Sequence, residues 1–239
     1  MAYNYPTITF NGRVLADGFS PIYYANAFTQ PYYPVILSAD GDSAAMFRWG
    51  LIPPWCKTLE AAAALVKRTV NARAETVFVR PAFRFAARHQ RCIVPVTGFY
   101  EWHDCLGKKY PFFITAPEGR PFFIAGIQNR WRNPATDETI PTFCLLTTDA
   151  NELLAKIHNL KKRMPVILAP TQANLWLDPT TPIETLKSLL VPYSGPLDAW
   201  PVAKISPTSA NQNRPETQKP FDYPQLYGFH LGFEDRPTV

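Results

Sequence analysis

Four stretches of this 239-residue sequence carry more chemistry-bearing side chains than packing calls for. The first, Arg48-Trp49-Gly50-Leu51-Ile52-Pro53-Pro54-Trp55, runs an apolar strand into a proline-stiffened turn that ends on an indole. Either Trp49 is core and Trp55 a lid over it, or the turn presents Trp55 as a stacking surface or wedge for a nucleobase. The second, Val70-Asn71-Ala72-Arg73-Ala74-Glu75-Thr76, spaces an amide, a guanidinium and a carboxylate two residues apart. In extended backbone alternate residues share a face, which would bring Asn71, Arg73 and Glu75 together. Three such groups are costly to bury unless they bond to one another or to a ligand. The third is Gly98-Phe99-Tyr100-Glu101-Trp102. A carboxyl among three aromatic rings is desolvated, which raises its pKa and equips it for proton transfer. The plainer alternative is a Glu reaching solvent from a strand end. The fourth is Ile157-His158-Asn159, ahead of Arg163-Met164-Pro165; read singly, His158 is a helix-end cap residue.

Other chemistries are excluded by spacing. Cys56, Cys92, Cys105 and Cys144 form no C-x-x-C pair, and His89, His103, His158 and His230 show no ligand spacing, so neither a metal site nor a disulfide scaffold is expected, and no cofactor. The four thiols read as free and buried or partly buried. Charged residues make up 18% of the chain and hydrophobic ones 46%, which argues against disorder. No apolar run approaches the roughly 18–20 residues of a membrane span, and no basic-then-apolar leader marks a secretory signal. The net charge of +5 leans toward an anionic partner. Cations interleaved with aromatics are how single-stranded nucleic acid is held, phosphates in a basic groove and bases on rings.

The elements that must position these groups are short. Twenty-five prolines punctuate the chain too often for a helix bundle. Runs rich in Val, Ile, Phe or Tyr and bounded by Gly, Pro or Asp predict strands at 34–37, 45–51, 91–95, 111–114, 121–127 and 142–147. Helices are predicted at 59–67, 81–88, 150–158, 171–177 and 181–190. Thr171, Thr181 and Thr148-Asp149 are expected as the caps of the last three. The fold class is α+β with a mainly antiparallel sheet, because the strands follow too closely for repeated βαβ crossovers. From about Ser206 the chain reads as an extended tail wrapped over the domain or partly mobile.

In order along the chain stand W-G-L-I-P-x-W, N-A-R-x-E-T, R-C-I-V-P-x-x-G-F-Y-E-W, P-F-F-I, A-G-I, T-x-x-A-N and I-H-N-x-x-x-R-M-P. Together they resemble the SRAP family of abasic-site processing proteins. The resemblance implies a sheet curled into a pseudo-barrel with flanking helices, a single domain over residues 1–225 and a tail over 226–239. It implies a monomeric, cytoplasmic protein that associates with the nucleoid on DNA, and a partner, single-stranded DNA carrying abasic sites. Members carry Cys directly after the initiator Met. Removal of that Met frees an α-amine beside a thiol; the amine condenses with the ring-opened sugar aldehyde and the thiol closes a thiazolidine, a DNA–protein crosslink. An α-amine pKa near 7.7–8.0 leaves a useful neutral fraction at pH 7. Placing both groups on one residue makes ring closure intramolecular.

By resemblance Asn71 orients the terminal residue and bonds the opened sugar, Glu101 manages protons at the amine and imine, and His158 is acid or base at the sugar. Arg73, Arg84 and Arg163 bind phosphates, Trp55 with Ile52 and Pro53 caps the stacked bases, and Thr147 adds a contact. One position departs from the pattern: Met1 is followed by Ala2 where the family has Cys. Without the thiol the ring cannot close, although an amine could still form a reversible imine and support β-elimination. A single-strand binder without lesion preference and an autopeptidase acting on its own N-terminus are the rival readings. The expectation common to the enzymatic readings is that the first residues lie at the bottom of a positively charged cleft with Asn71, Glu101 and His158.

Overall fold

The structure, a computed structural model, describes residues 1–38, 43–205, 212–229 and 231. Residues 206–211, where the expected extended stretch begins, and most of the expected tail at 226–239 lie outside them. The chain runs β1 (Ile8–Phe10), β2 (Arg13–Ala16), β3 (Tyr32–Val35), β4 (Ala45–Trp49), α1 (Leu59–Val66), β5 (Asn71–Arg73), α2 (Arg84–His89) and β6 (Arg91–Val96). It continues through β7 (Gly98–Cys105), β8 (Lys108–Thr115), β9 (Phe122–Arg132), β10 (Thr139–Asp149), α3 (Glu152–Ile157), β11 (Arg163–Pro165), β12 (Ile167–Leu168), α4 (Pro170–Leu177), α5 (Ile183–Ser188) and β13 (Asp198–Pro201).

The predicted α+β class holds. In the main sheet β3 pairs with β4, β4 with β10, β10 with β9 and β9 with β6; all are antiparallel except β4 against β10. Ile36 and Ile93 then exchange both backbone hydrogen bonds at 2.9 Å, bringing the end of β3 back to β6 and curling the sheet almost shut. A second sheet is ordered β13-β8-β7. Its β7–β8 hairpin turns on Leu106 and Gly107, both at positive φ, as a tight two-residue turn demands.

The core is sealed by α4. Its Trp176, fully buried, donates from Nε1 to the carbonyls of Cys92 and Gly126 at 3.0 and 3.1 Å. Gly126 has no room for a side chain, since a Cβ there would meet Cys92 Sγ at 2.9 Å. Buried Arg91 donates to the carbonyls of Arg88, Trp176 and Asp178, answering orphan groups at the ends of α2 and α4. Cys56, Cys92 and Cys144 are buried and Cys105 half-buried, all free.

All six predicted strands and all five helices are present, with corrected ends. Residues 81–83 form a turn and α2 starts at Arg84. The three predicted caps are wrong. Thr148 and Asp149 end β10, and Asn151 caps α3 by accepting from Leu154 N at 2.9 Å. Pro170 takes the first position of α4, so Ala169 precedes the helix and Thr171 lies inside it. Pro182 likewise displaces Thr181 from the start of α5. No helix among the described residues is long and apolar enough to cross a membrane.

Candidate active site

The first three residues are wedged between two backbones. Ala2 donates to Gly98 O and accepts from Thr97 N, both at 2.9 Å, extending the β7 edge. On the other side the Met1 amine donates to Ala25 O at 3.0 Å, Ala25 N donates to Met1 O at 2.9 Å, and Tyr3 exchanges two bonds with Ile22. Gly98 is required here by close approach: a Cβ would fall 2.3 Å from the Phe113 ring. Met1, Ala2 and Tyr3 are 6%, 0% and 1% exposed.

Met1 floors a cavity of about 410 Å³ whose walls include Asn71, Glu101, Thr147 and His158. The three side chains expected beside the chain's start line the same cavity as Met1. The residue facing the cavity is Met1; Ala2 sits behind it, packed against Tyr100, Phe113 and Val202. Asn71 arrives on β5, held in parallel register by Leu145 of β10, while Glu101 projects from β7 and His158 closes α3. His158 Nδ1 lies 3.0 Å from Arg163 O and 3.4 Å from Glu101 Oε2. A carbonyl only accepts, so Nδ1 carries the hydrogen and Nε2 is left with its lone pair.

Burial sets the ionisation of these groups. It pushes the Met1 amine down to about 5, the Glu101 charge opposing. It pushes the Glu101 carboxyl up to about 8, opposed by the amine and Lys161. Burial also lowers His158, against the pull of its bond to Arg163 O. At neutral pH the cavity thus holds an unprotonated amine, a protonated carboxyl and a neutral imidazole, and the Glu101–His158 contact is not an ion pair. This is a nucleophile beside an acid and a base.

The expected DNA-contacting residues divide. Arg73 is exposed two residues from Asn71 on β5, and Arg84 is exposed at the start of α2. Trp55 is 49% exposed, its Nε1 donating to Pro81 O at 3.2 Å. Ile52 and Pro53 are buried, Ile52 against Cys56, Ala62, Val66 and Trp131, so in this structure neither offers a face to a base. The expectation of one shared face for Asn71, Arg73 and Glu75 fails at Glu75. The strand ends at Arg73 and Glu75 lies in a 3-10 turn, where it pairs with Arg163. Arg163 donates to Glu75, Asp149 and Thr147 O at 2.6–3.0 Å.

Sequence reasoning gave no role to Tyr24, Phe28, Lys109 or Lys161, which also line the cavity, or to Asn159. Asn159 exchanges hydrogen bonds with the Asp104 backbone at 2.8 and 3.0 Å, fastening the end of α3 to β7 and so setting His158 against Glu101. Its neighbour His158 was the available signal.

A curled, mostly antiparallel sheet buries the Met1 amine, and Met1 lines one cavity with a carboxyl, an imidazole and an amide. Residues 11–206 match the family model for SOS response associated peptidase (SRAP), and the chain belongs to the SRAP family. It is 35% identical over 196 residues to the abasic site processing protein YoqW of Bacillus subtilis, covering 81% of this chain and 84% of that one. It is 30% identical over 199 residues to the abasic site processing protein HMCES of Pongo abelii, covering 68% of this chain and 54% of that one. An X-ray structure of a protein from Bacteroides thetaiotaomicron superposes with a TM-score of 0.76 at 37% identity, over 82% of this chain and 84% of that one.

Proposed function

We propose that this chain processes abasic sites in single-stranded DNA through its terminal α-amine. The observation that carries the reading is the shared cavity of that amine with Asn71, Glu101 and His158. The neutral amine adds to the C1′ aldehyde of the ring-opened sugar, giving a carbinolamine. The Glu101 carboxyl donates its proton to the departing hydroxyl, water leaves and the protonated imine forms beside the Glu101 carboxylate, which takes up the nitrogen proton to give the imine. His158, with Nε2 free, exchanges protons at the sugar, and Asn71 holds the sugar hydroxyls. Arg73 and Arg84 bind flanking phosphates and Trp55 stacks on a neighbouring base. Arg163, expected as a third phosphate ligand, has its donors on Glu75, Asp149 and Thr147 O, so its phosphate role requires exchange of those partners.

In the full family reaction the residue after Met1 is exposed by hydrolysis of the Met1–Ala2 bond, which would put the Ala2 nitrogen, now 2.9 Å from Gly98 O, in place as the amine. Ala2 has no thiol, so the chemistry stops at the imine and no thiazolidine closes. On a denaturing gel with an abasic oligonucleotide this chain should give no heat-stable shifted band, whereas Ala2→Cys should give one. A band of equal strength from both would remove position 2 from the chemistry. The family description as a peptidase favours a second reading, self-hydrolysis of the Met1–Ala2 bond, and the intact mass of the purified protein tests it directly.

A further inference from the structure

We propose that residues 212–223, which lie beyond the part of the chain matched by the family model, act as a strap that positions the reacting terminal amine, with Asn213 and Gln218 as its positioning residues. The proposal deepens the reading of that amine as the nucleophile and rests on it for its catalytic consequence.

The 22–25 segment that holds Met1 belongs to none of the strands β1 to β13. Its inner edge bonds to Met1 and Tyr3; its outer edge has to be satisfied from elsewhere, or it would not stay put. The strap does this. Asn213 Oδ1 accepts from Tyr23 N at 2.6 Å and from Tyr24 N at 3.2 Å. Gln218 Nε2 donates to Tyr23 O at 3.2 Å, beside the Tyr100 hydroxyl that donates to the same carbonyl at 2.7 Å. Gln218 also forms a reciprocal amide pair with Asn4, at 2.7 and 3.0 Å, which pins the chain just after the terminal segment. Two side chains from the 212–223 stretch thus hold the 22–25 backbone on one side of the chain's start and the Asn4 side chain just after it.

The strap is itself anchored on β13. Trp200 Nε1 donates to Gln218 O at 2.7 Å, Phe221 N donates to Pro201 O at 2.9 Å, and the Tyr223 hydroxyl donates to Val202 O at 2.8 Å. Thr217 and Tyr223 are buried. Loss of a strap amide should therefore loosen the 22–25 segment, let water reach the amine and misplace it against Glu101, while leaving the phosphate and base contacts intact. A small misplacement is enough to cost catalysis heavily.

The titratable groups around the amine are Glu101 and Tyr100 from β7, Lys109 from β8, His158 and Lys161 after α3, and Tyr24. Replacing Asn213 with a neutral residue removes a partner of none of them; Gln218 also bonds the Tyr100 hydroxyl, which burial holds above the ordinary tyrosine range, so Asn213→Ala is the cleaner arm. The test is the pH dependence of acylation of the terminal amine, read from the mass of the N-terminal peptide, in parent, Asn213→Ala and Gln218→Met. In parallel, the borohydride-trapping rate is measured on an abasic single-stranded oligonucleotide. The parent should be half-labelled well below the ordinary amine value of 8.0, and both variants should move up toward it. Trapping should slow by about tenfold with unchanged oligonucleotide affinity. Asn213→Asp keeps the accepting oxygen and should trap within about twofold of the parent. Identical labelling and trapping in parent, Asn213→Ala and Gln218→Met would overturn the strap. Shifted labelling without any trapping in the parent would uphold the strap as the device that positions the amine and reject the abasic-site reading instead.

Discussion

Glu101 and Glu75 are two carboxylates reached from the same short stretch after α3, one touching His158 and the other Arg163, and the fold treats them in opposite ways. Glu101 has a side chain 21% exposed in an aromatic wall, and burial lifts it to about 8. Glu75, 45% exposed, takes two hydrogen bonds from Arg163 and is held below its ordinary 4.5. At Arg163 burial disfavours the charge, but Glu75 and Asp149 more than offset it and its pKa rises. The difference teaches what each place is for. A pair of opposite charges fixes geometry and keeps its ions; a desolvated cavity without a matched counter-charge strips charge from acid and amine alike and leaves them able to trade protons.

The sharpest way to break this contrast is Glu101→Gln in the Ala2→Cys background. Crosslink formation should fall about 100-fold or more, the scale of a lost general acid, with little change in DNA affinity. The rate in that background should rise with pH as the buried terminal amine loses its proton and fall through about 8 as Glu101 ionises. The variant should lack the upper limb; a rate that kept both limbs would assign the acid elsewhere.

Stability should separate the same two residues by the sign of its pH dependence. Between pH 4.5 and about 8 the unfolded chain has lost the Glu101 proton that the folded chain retains, so stability falls as pH rises through that window. Glu101→Gln should therefore gain on the parent across it, by up to a few kcal/mol in urea unfolding. Glu75 has the opposite linkage: its contribution is present above pH 4.5 and lost as pH falls through its lowered folded value. Glu75→Gln should cost at most about 1 kcal/mol at pH 7, given its exposure, and nothing in acid. Parallel pH curves for the two variants would erase the distinction.

The smallest expected effect lies on the rim. Arg73→Ala should weaken single-strand binding across sequences and lower the salt slope by about one counterion. An unchanged slope would move the phosphate path away from β5.

The sequence made Glu101 legible because a lone carboxyl among Phe99, Tyr100 and Trp102 has few polar neighbours to choose from, and its raised pKa follows from that setting. The strand-forming runs of β6, β8, β9 and β10 were equally plain, being continuous and apolar. What stayed hidden depends on partners far along the chain. Glu75 was grouped with Asn71 by alternation, whereas Arg163, 88 residues away, decides its direction. Ile52 shares a motif with Trp55 but is claimed by Trp131, and the amides of Asn213 and Gln218 announce nothing until the two chain ends are brought together. The caps failed for local reasons: Pro170 takes the first helical position ahead of Thr171, Pro182 takes the cap position from Thr181, and Asn151 caps α3 in place of Thr148-Asp149.

Glu101, His158 and Asn71 are worth this attention only if the amine they surround is the group that meets the sugar. Borohydride trapping of the protein on an abasic single-stranded oligonucleotide, followed by peptide mapping of the adduct, decides it, because Lys109 and Lys161 line the same cavity and offer competing amines. The adduct should map to the terminal α-amine, on Met1 or on Ala2 after its removal. An adduct on either lysine, or none at all, would contradict it.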